Sequence, residues 1–248
     1  MDLSTFFKEN PRTAIAFSGG VDSSYLLYAA LQCKVDVTAY YVKSAFQPQF
    51  ELDGANRLAE LLGVCVEQIP VDVLNVPEIS DNPSNRCYYC KKQIFSAIAD
   101  AAQKDGYTLL LDGTNASDEE EDRPGMRALR ELSVRSPLRE CGLTKSEIRR
   151  LSREAGLFTW DKPAYACLAT RISAGEEITA KKLLATEKAE GYLFALGFCD
   201  FRIRVKDDCA KIQLKECDFG KLIESRAKVL AELKKYYKSV TLDLEMRK

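Results

Sequence analysis

Between Thr13 and Pro70 short β-rich runs alternate with segments of helical periodicity, and this alternation limits the possible folds more than any other feature of the chain. Thr13–Phe17 (TAIAF) is an apolar run halted by Ser-Gly-Gly, and Val21–Leu31 continues with Leu26, Leu27, Ala30 and Leu31 at helical spacing. Val35–Val42 reads as a second strand, Glu51–Leu62 as a helix closed by Gly63, and Val64–Pro70 as a third strand. A helix over Lys91–Lys104, a buried strand over Thr108–Asp112 and a helix over Thr144–Ala155, with Thr144 and Glu147 at capping-box spacing, extend the series. Strands separated by helices pair in parallel, carry helices on both faces and bind ligands at their carboxyl ends.

The pattern changes after Pro163. A helix at about 180–196, strands over Phe201–Val205 and Ala210–Leu214, a helix over Phe219–Tyr237 and a strand over Ser239–Leu244 describe an α+β unit. The expected fold is therefore α/β, with a parallel-sheet domain over 1–167 and a smaller α+β domain over 168–248. A chain of 248 residues can bury a full core in either arrangement.

Charge argues against a polyanionic partner: 36 Lys plus Arg nearly balance 37 Asp plus Glu, and no long basic run occurs. No nucleic-acid partner is expected. The N-terminus lacks a basic region followed by a long apolar core, and no stretch nears 18 apolar residues, so a cytoplasmic protein without a membrane segment is expected. Nine cysteines without short regular spacing suit reduced thiols or metal ligands better than a disulfide framework. Histidine is absent, which excludes Ser-His-Asp and Cys-His catalysis and every His-containing metal site.

The heptapeptide Ser18-Gly19-Gly20-Val21-Asp22-Ser23-Ser24 lies where the first strand hands over to the first helix. Two glycines let backbone N–H groups approach an anion, the helix N-terminus adds partial positive charge, and the serine hydroxyls donate further bonds. Asp22 is suited to Mg²⁺ bridging phosphate oxygens rather than to phosphate itself. A Gly-Gly turn with a serine cap would share part of the pattern. Asp112-Gly113-Thr114-Asn115, closing a later strand, places small polar residues at the same sheet edge or forms an Asx turn. The sequence SGGVDSS resembles the PP-loop of ATP pyrophosphatases, which cleave ATP between the α and β phosphates. No Walker A pattern is present to suggest γ-phosphate transfer.

Three cysteines stand apart from the rest. Cys87 and Cys90 have chelate spacing in NRCYYCK, and Cys167 in ACLATR follows 77 positions later. Buried packing cysteines or a redox pair would give the same CxxC. The other six lie mostly among apolar neighbours and read as packing or surface residues. Three thiolates are one short of a structural zinc site, whereas a [4Fe–4S] cluster on three cysteines leaves one iron open.

With SGGVDSS, AYYVKSAF (39–46), NRCYYCK (85–91), LDGTNASD (111–118), SPL (136–138), GLTKSEIR (142–149), WDKPAYACLATRI (160–172) and FRIR (201–204), nearly the whole chain resembles the LarE-type sulfur transferases of nickel-pincer cofactor biosynthesis. The resemblance implies an enzyme that adenylates a carboxylate of pyridinium-3,5-biscarboxylic acid mononucleotide and converts it to a thiocarboxylate. ATP and Mg²⁺ would be held by Ser18–Ser24, Lys43 and Gly113, with Asp22 and Cys167 catalytic. Sulfur comes from the family's [4Fe–4S] version, held here by Cys87, Cys90 and Cys167, with sulfide or another sulfur donor as partner. The family's other version donates the sulfur of the residue matching Cys167 and leaves dehydroalanine.

Arg202 and Arg204 share one face of a predicted strand and match the family's RxR for the substrate phosphate, with Arg171 a weaker candidate. The family also implies a homo-oligomer. Competing readings are an ammonia-using amide synthetase akin to NAD synthetase, a tRNA thiolase, and an adenine-nucleotide-binding regulatory module with a structural metal. The acidic run 118–122 reads as a solvated loop, with its first member, Asp118, a candidate Mg²⁺ contact because it follows the DGTN turn.

Overall fold

A computed structural model describes residues 2–118, 124–245 and 247. Most of the acidic run, 119–122, lies outside the described residues. The chain divides into two compact units, 1–73 with 85–164 and 74–84 with 165–248. The eleven residues 74–84 interrupt the first unit in sequence but belong to the second, which no feature of the sequence foretold.

The first unit opens with helix α1 (Leu3–Glu9), whose N-cap Asp2 accepts the Thr5 N–H. There follow β1 (Arg12–Ala16), α2 (Val21–Gln32), β2 (Asp36–Lys43), α3 (Gln49–Leu62) and β3 (Val66–Pro70). Gly63, at φ +67°, closes α3 in the left-handed conformation that glycine tolerates best. The short helix α4 (Pro77–Ser80) belongs to the second unit. The first unit resumes with α5 (Arg86–Lys104), β4 (Leu110–Leu111), α6 (Pro124–Glu131), α7 (Pro137–Glu140) and α8 (Lys145–Glu154). The Thr144–Glu147 capping box expected from spacing is present at the start of α8.

The four strands form an all-parallel sheet in the order β3-β2-β1-β4. Both faces are covered, as parallel sheets require. Ile15, Ala39, Tyr41 and Leu111 pack with α1, α2, α3 and α8 in one core cluster. Ala14, Tyr40, Val42 and Leu110 pack with α5 and α6 in the other. Helix α5 begins five residues earlier than its periodicity suggested, which brings Cys87 and Cys90 into its first two turns. Strand β4 is shorter than expected because Asp112 turns away, its carboxylate accepting from Thr114 and Ser136.

The second unit holds helix α9 (Ala180–Ala195), strands β5 (Arg202–Lys206) and β6 (Cys209–Gln213), helix α10 (Phe219–Leu233) and strand β7 (Ser239–Leu242). These strands form a sheet in the order β5-β6-β7, antiparallel between the first two and parallel between the last two. Residues 74–84 are fastened into this unit by their backbone. Gly175 N–H donates to Asn82 O, Ile178 N–H to Ser80 O, and the Asn82 amide to the carbonyls of Ile172 and Ser173. Among the described residues, no helix is long and apolar enough to cross a membrane.

Candidate functional site

Strands β1 and β4 are parallel neighbours, with Ile15 opposite Leu111, so the loops that follow them emerge at the same edge of the sheet. The first loop is Ser18–Gly20. Its Ser18 and Ser23 hydroxyls lie 3.0 Å apart, the Ser18 N–H donates to Ser23 Oγ at 3.2 Å, and Ser23 Oγ donates to Gly20 O at 3.3 Å. Gly19 sits at φ +69°, and a Cβ there would stand 3.0 Å from Ala55 Cβ. Gly20 caps the twelve-residue α2 without a side-chain hydrogen bond, so no side chain caps the first-turn N–H groups. Uncapped N–H groups at a helix N-terminus are able to receive an anion.

The second loop packs directly on the first. A Cβ on Gly113 would meet Ser23 N at 2.9 Å and Ser23 Cα at 3.2 Å, so only glycine lets the two backbones touch. Asp112 and Thr114 form the expected Asx turn, and Asn115 Nδ2 donates to Asp22 Oδ1 at 3.3 Å. The turn and the contact with the loop are thus the same structure. Asp118 accepts from Asn115 N–H and fixes its own turn. Gly113→Ala is expected to cost about 1–3 kcal/mol by overpacking. The loss should appear as a lower urea midpoint.

Two lysines complete the site, and neither was singled out by sequence reasoning. Lys145 Nζ donates to Asp22 Oδ2 at 2.5 Å, while its own N–H is held by Ser117 Oγ at 3.0 Å. Lys162 Nζ donates to Gly19 O at 3.1 Å and to Glu51 Oε2 at 2.7 Å, so it ties the glycine loop to α3. The available signal was their place inside GLTKSEIR and WDKPAYACLATRI, two stretches recognised as motifs without roles for their lysines. Lys43, expected at the nucleotide, instead donates to Gln47 O at 2.7 Å within its own loop.

Cys87 and Cys90 are three residues apart on α5, a spacing that puts both thiols on one helical face. Cys87 is exposed and Cys90 partly exposed, and an Arg86 N–H lies 3.7 Å from Cys87 Sγ. Both belong to the first unit. Cys167 belongs to the second, partly exposed at the N-cap of the 3-10 turn Leu168–Arg171. Among the described residues, no three His, Cys, Asp or Glu side chains form a ready-made metal site. Of the remaining cysteines, four are exposed, at 33, 65, 199 and 217. Cys141 packs against the core, where burial raises its thiol pKa.

In the second unit, strand alternation places Arg202 and Arg204 on one side of β5. Arg204 Nε donates to Gln213 Oε1 at 2.9 Å, and its NH1 donates to Thr170 O at 2.5 Å. The guanidinium of Arg202 lies 5.3 Å from the Tyr165 ring centroid and donates to Phe201 O at 2.6 Å. Burial, reinforced by the positive charges of Arg171 and Arg247, lowers its pKa to about 10. Such a field favours an anion. Arg171 lies over the same Tyr165 ring, and its guanidinium forms a buried two-pronged pair with Glu190, at 2.7 Å and 3.1 Å. Glu190 also accepts from Tyr165 OH and Ile203 N–H, so Arg171 braces the strand that carries the RxR. Beside Arg204 opens a cavity of about 710 Å³.

No family model matches the chain. It is 37% identical over 253 residues to an uncharacterized protein of Synechocystis, covering 98% of this chain and 92% of that protein. It is 31% identical over 244 residues to an uncharacterized protein of Methanocaldococcus jannaschii, covering 96% and 91%. It is also 35% identical over 240 residues to the pyridinium-3,5-bisthiocarboxylic acid mononucleotide synthase of Lactiplantibacillus plantarum, covering 96% of this chain and 87% of that enzyme. With a relationship that spans almost its whole length, and a parallel sheet whose first strand is followed by SGGVDSS, the chain belongs to the LarE-type family of that synthase.

Proposed function

We propose that the protein is an ATP-dependent sulfur transferase that acts on pyridinium-3,5-biscarboxylic acid mononucleotide. The observation that carries the reading is the pairing of an anion-receptive loop, Ser18–Ser24, with a carboxylate, Asp22, at the same helix N-terminus. A substrate carboxylate oxygen attacks the α-phosphorus of ATP, the bond to the bridging oxygen breaks, and pyrophosphate leaves. A sulfur nucleophile then attacks the activated carbonyl carbon, the carbon–oxygen bond to AMP breaks, and a thiocarboxylate remains.

The residues at the loop fit Mg²⁺. Asp22 is partly exposed and already attracts one cation, the Lys145 ammonium. Asp22 would hold this hard divalent ion, which would supply positive charge to offset the negative charge of the phosphates. Lys145 orients the Asp22 carboxylate at the start of α2 and would supply a positive charge beside a bound polyphosphate. Lys162 engages Gly19 O, which leaves the loop's N–H groups as the donors for an anion.

The thiol donor set of Cys87, Cys90 and Cys167 fits a [4Fe–4S] cluster in chemistry and, for the first two, in helical spacing. Such a cluster would supply an open iron able to carry sulfide. Cys167 has a second possible use, as the sulfur donor itself.

Iron and acid-labile sulfide determination on anaerobically purified protein, followed by single-turnover assays, separates the two routes. The expected result is about four irons per subunit, lost in Cys87→Ala and Cys90→Ala together with turnover. Full iron content and turnover in both variants would overturn the cluster. Stoichiometric conversion accompanied by a subunit mass lowered by one hydrogen sulfide at Cys167 would assign the sacrificial route. An amide product formed from ammonia would assign the protein to the amide synthetases.

A further inference from the structure

The cavity beside Arg204 is larger than a phosphate requires, and its volume lies in the range that encloses whole small ligands. Its floor is the polar face of the second sheet. Alternation along β5 and β6 puts Arg204, Lys206, Cys209 and Lys211 on this face. Ile203, Val205, Ala210 and Ile212 turn to the buried side. The antiparallel register sets Arg204 directly opposite Lys211, and Lys206 follows Arg204 on the same face at about 7 Å.

Three cations therefore converge on one cavity wall, and their charges are only partly compensated. Lys211 is paired with Asp243 at 2.8 Å. Asp207 also lines the cavity, at the tight turn between β5 and β6. Among the described residues, Arg204 donates only to the neutral oxygens of Gln213 and Thr170, and Lys206 has no ion-pair partner. Two uncompensated cations on residues spaced about 7 Å apart along one strand suit two anionic groups on one ligand better than a single phosphate.

The mononucleotide of the proposed reaction carries a phosphate and two ring carboxylates, and while one carboxylate is being activated the other remains ionised. We propose that Lys206, supported by Lys211, binds this second carboxylate while Arg204 holds the phosphate. This face of the sheet would then select a dicarboxylate ring over a monocarboxylate ring. The inference rests on the proposed function.

The test is titration calorimetry on the full chain without ATP. The probes are pyridinium-3,5-biscarboxylic acid mononucleotide and nicotinic acid mononucleotide, which lacks one carboxylate. Wild-type protein is expected to bind the dicarboxylate about tenfold more tightly or better, and Lys206→Gln to abolish that preference while leaving the monocarboxylate nearly unaffected. Arg204→Gln is expected to weaken both ligands. Lys206 is exposed at a strand end, so its replacement should leave the melting temperature unchanged, and Lys211→Gln provides a second variant. Equal weakening of both ligands by Lys206→Gln, or no weakening of either, overturns the assignment. A wild-type protein that binds neither ligand overturns the proposed function, and this inference with it.

Discussion

Glu190→Ala is expected to destabilise the protein by about 3–5 kcal/mol, because it strands a buried charge. The side chains of Arg171 and Glu190 are 0% and 1% exposed, so water does not screen the pair. Removing the carboxylate leaves the Arg171 guanidinium without its counter-charge, close to Arg202, whose own cation is already disfavoured there. The same change removes the acceptor of Tyr165 OH and Ile203 N–H. Urea unfolding followed by circular dichroism reads the loss. The double variant Arg171→Met/Glu190→Leu should recover most of it, since an apolar pair of similar volume replaces a charge pair at little net cost. A single-variant loss below about 1 kcal/mol, the range of an exposed pair, would show that the ion pair is not sequestered as described.

The largest expected effect on chemistry is at Asp22. Asp22→Asn keeps the shape but removes the charge that a divalent ion requires, and pyrophosphate release is expected to fall by about 10²–10³-fold in kcat/KM. Lys145→Met is expected to lower the same quantity by about 10²-fold, as for loss of one preorganised donor to developing charge. The two variants should differ in their response to metal. With its competitor gone, Asp22 in the Lys145→Met protein should reach half-maximal activity at lower Mg²⁺, whereas in Asp22→Asn the requirement should rise. A colorimetric pyrophosphate assay across a magnesium series measures both. If Lys145→Met released pyrophosphate at the wild-type rate, its contact with Asp22 would be a surface ion pair and nothing more.

The sheet was legible in the sequence because its signals are local. Apolar runs stopped by Gly or Pro gave β1, β2 and β3 within two residues, and the spacing of Thr144 and Glu147 gave the start of α8. The glycine loop before α2 was legible for the same reason, since strand, glycines and helix are contiguous. What could not be read were the partners that the fold brings together. Lys145 lies 123 residues from Asp22, and Lys162 lies 143 from Gly19. A lysine that opens a helix, or one that precedes a proline, carries no periodic signature. The Arg171–Glu190 pair was hidden similarly, because nothing beside the motif marks a carboxylate partner on a later helix.

The loan of residues 74–84 to the second unit has a consequence for the order in which the chain is assembled. These residues leave the ribosome about ninety positions ahead of the carbonyls that Asn82 must reach. At about 5–20 residues per second, that stretch waits several seconds with its polar backbone facing solvent. A truncation ending at 164 would leave it without those partners permanently. The chain therefore cannot be cut at that point into two self-sufficient fragments, and the C-terminal half made alone would lack the piece that completes it.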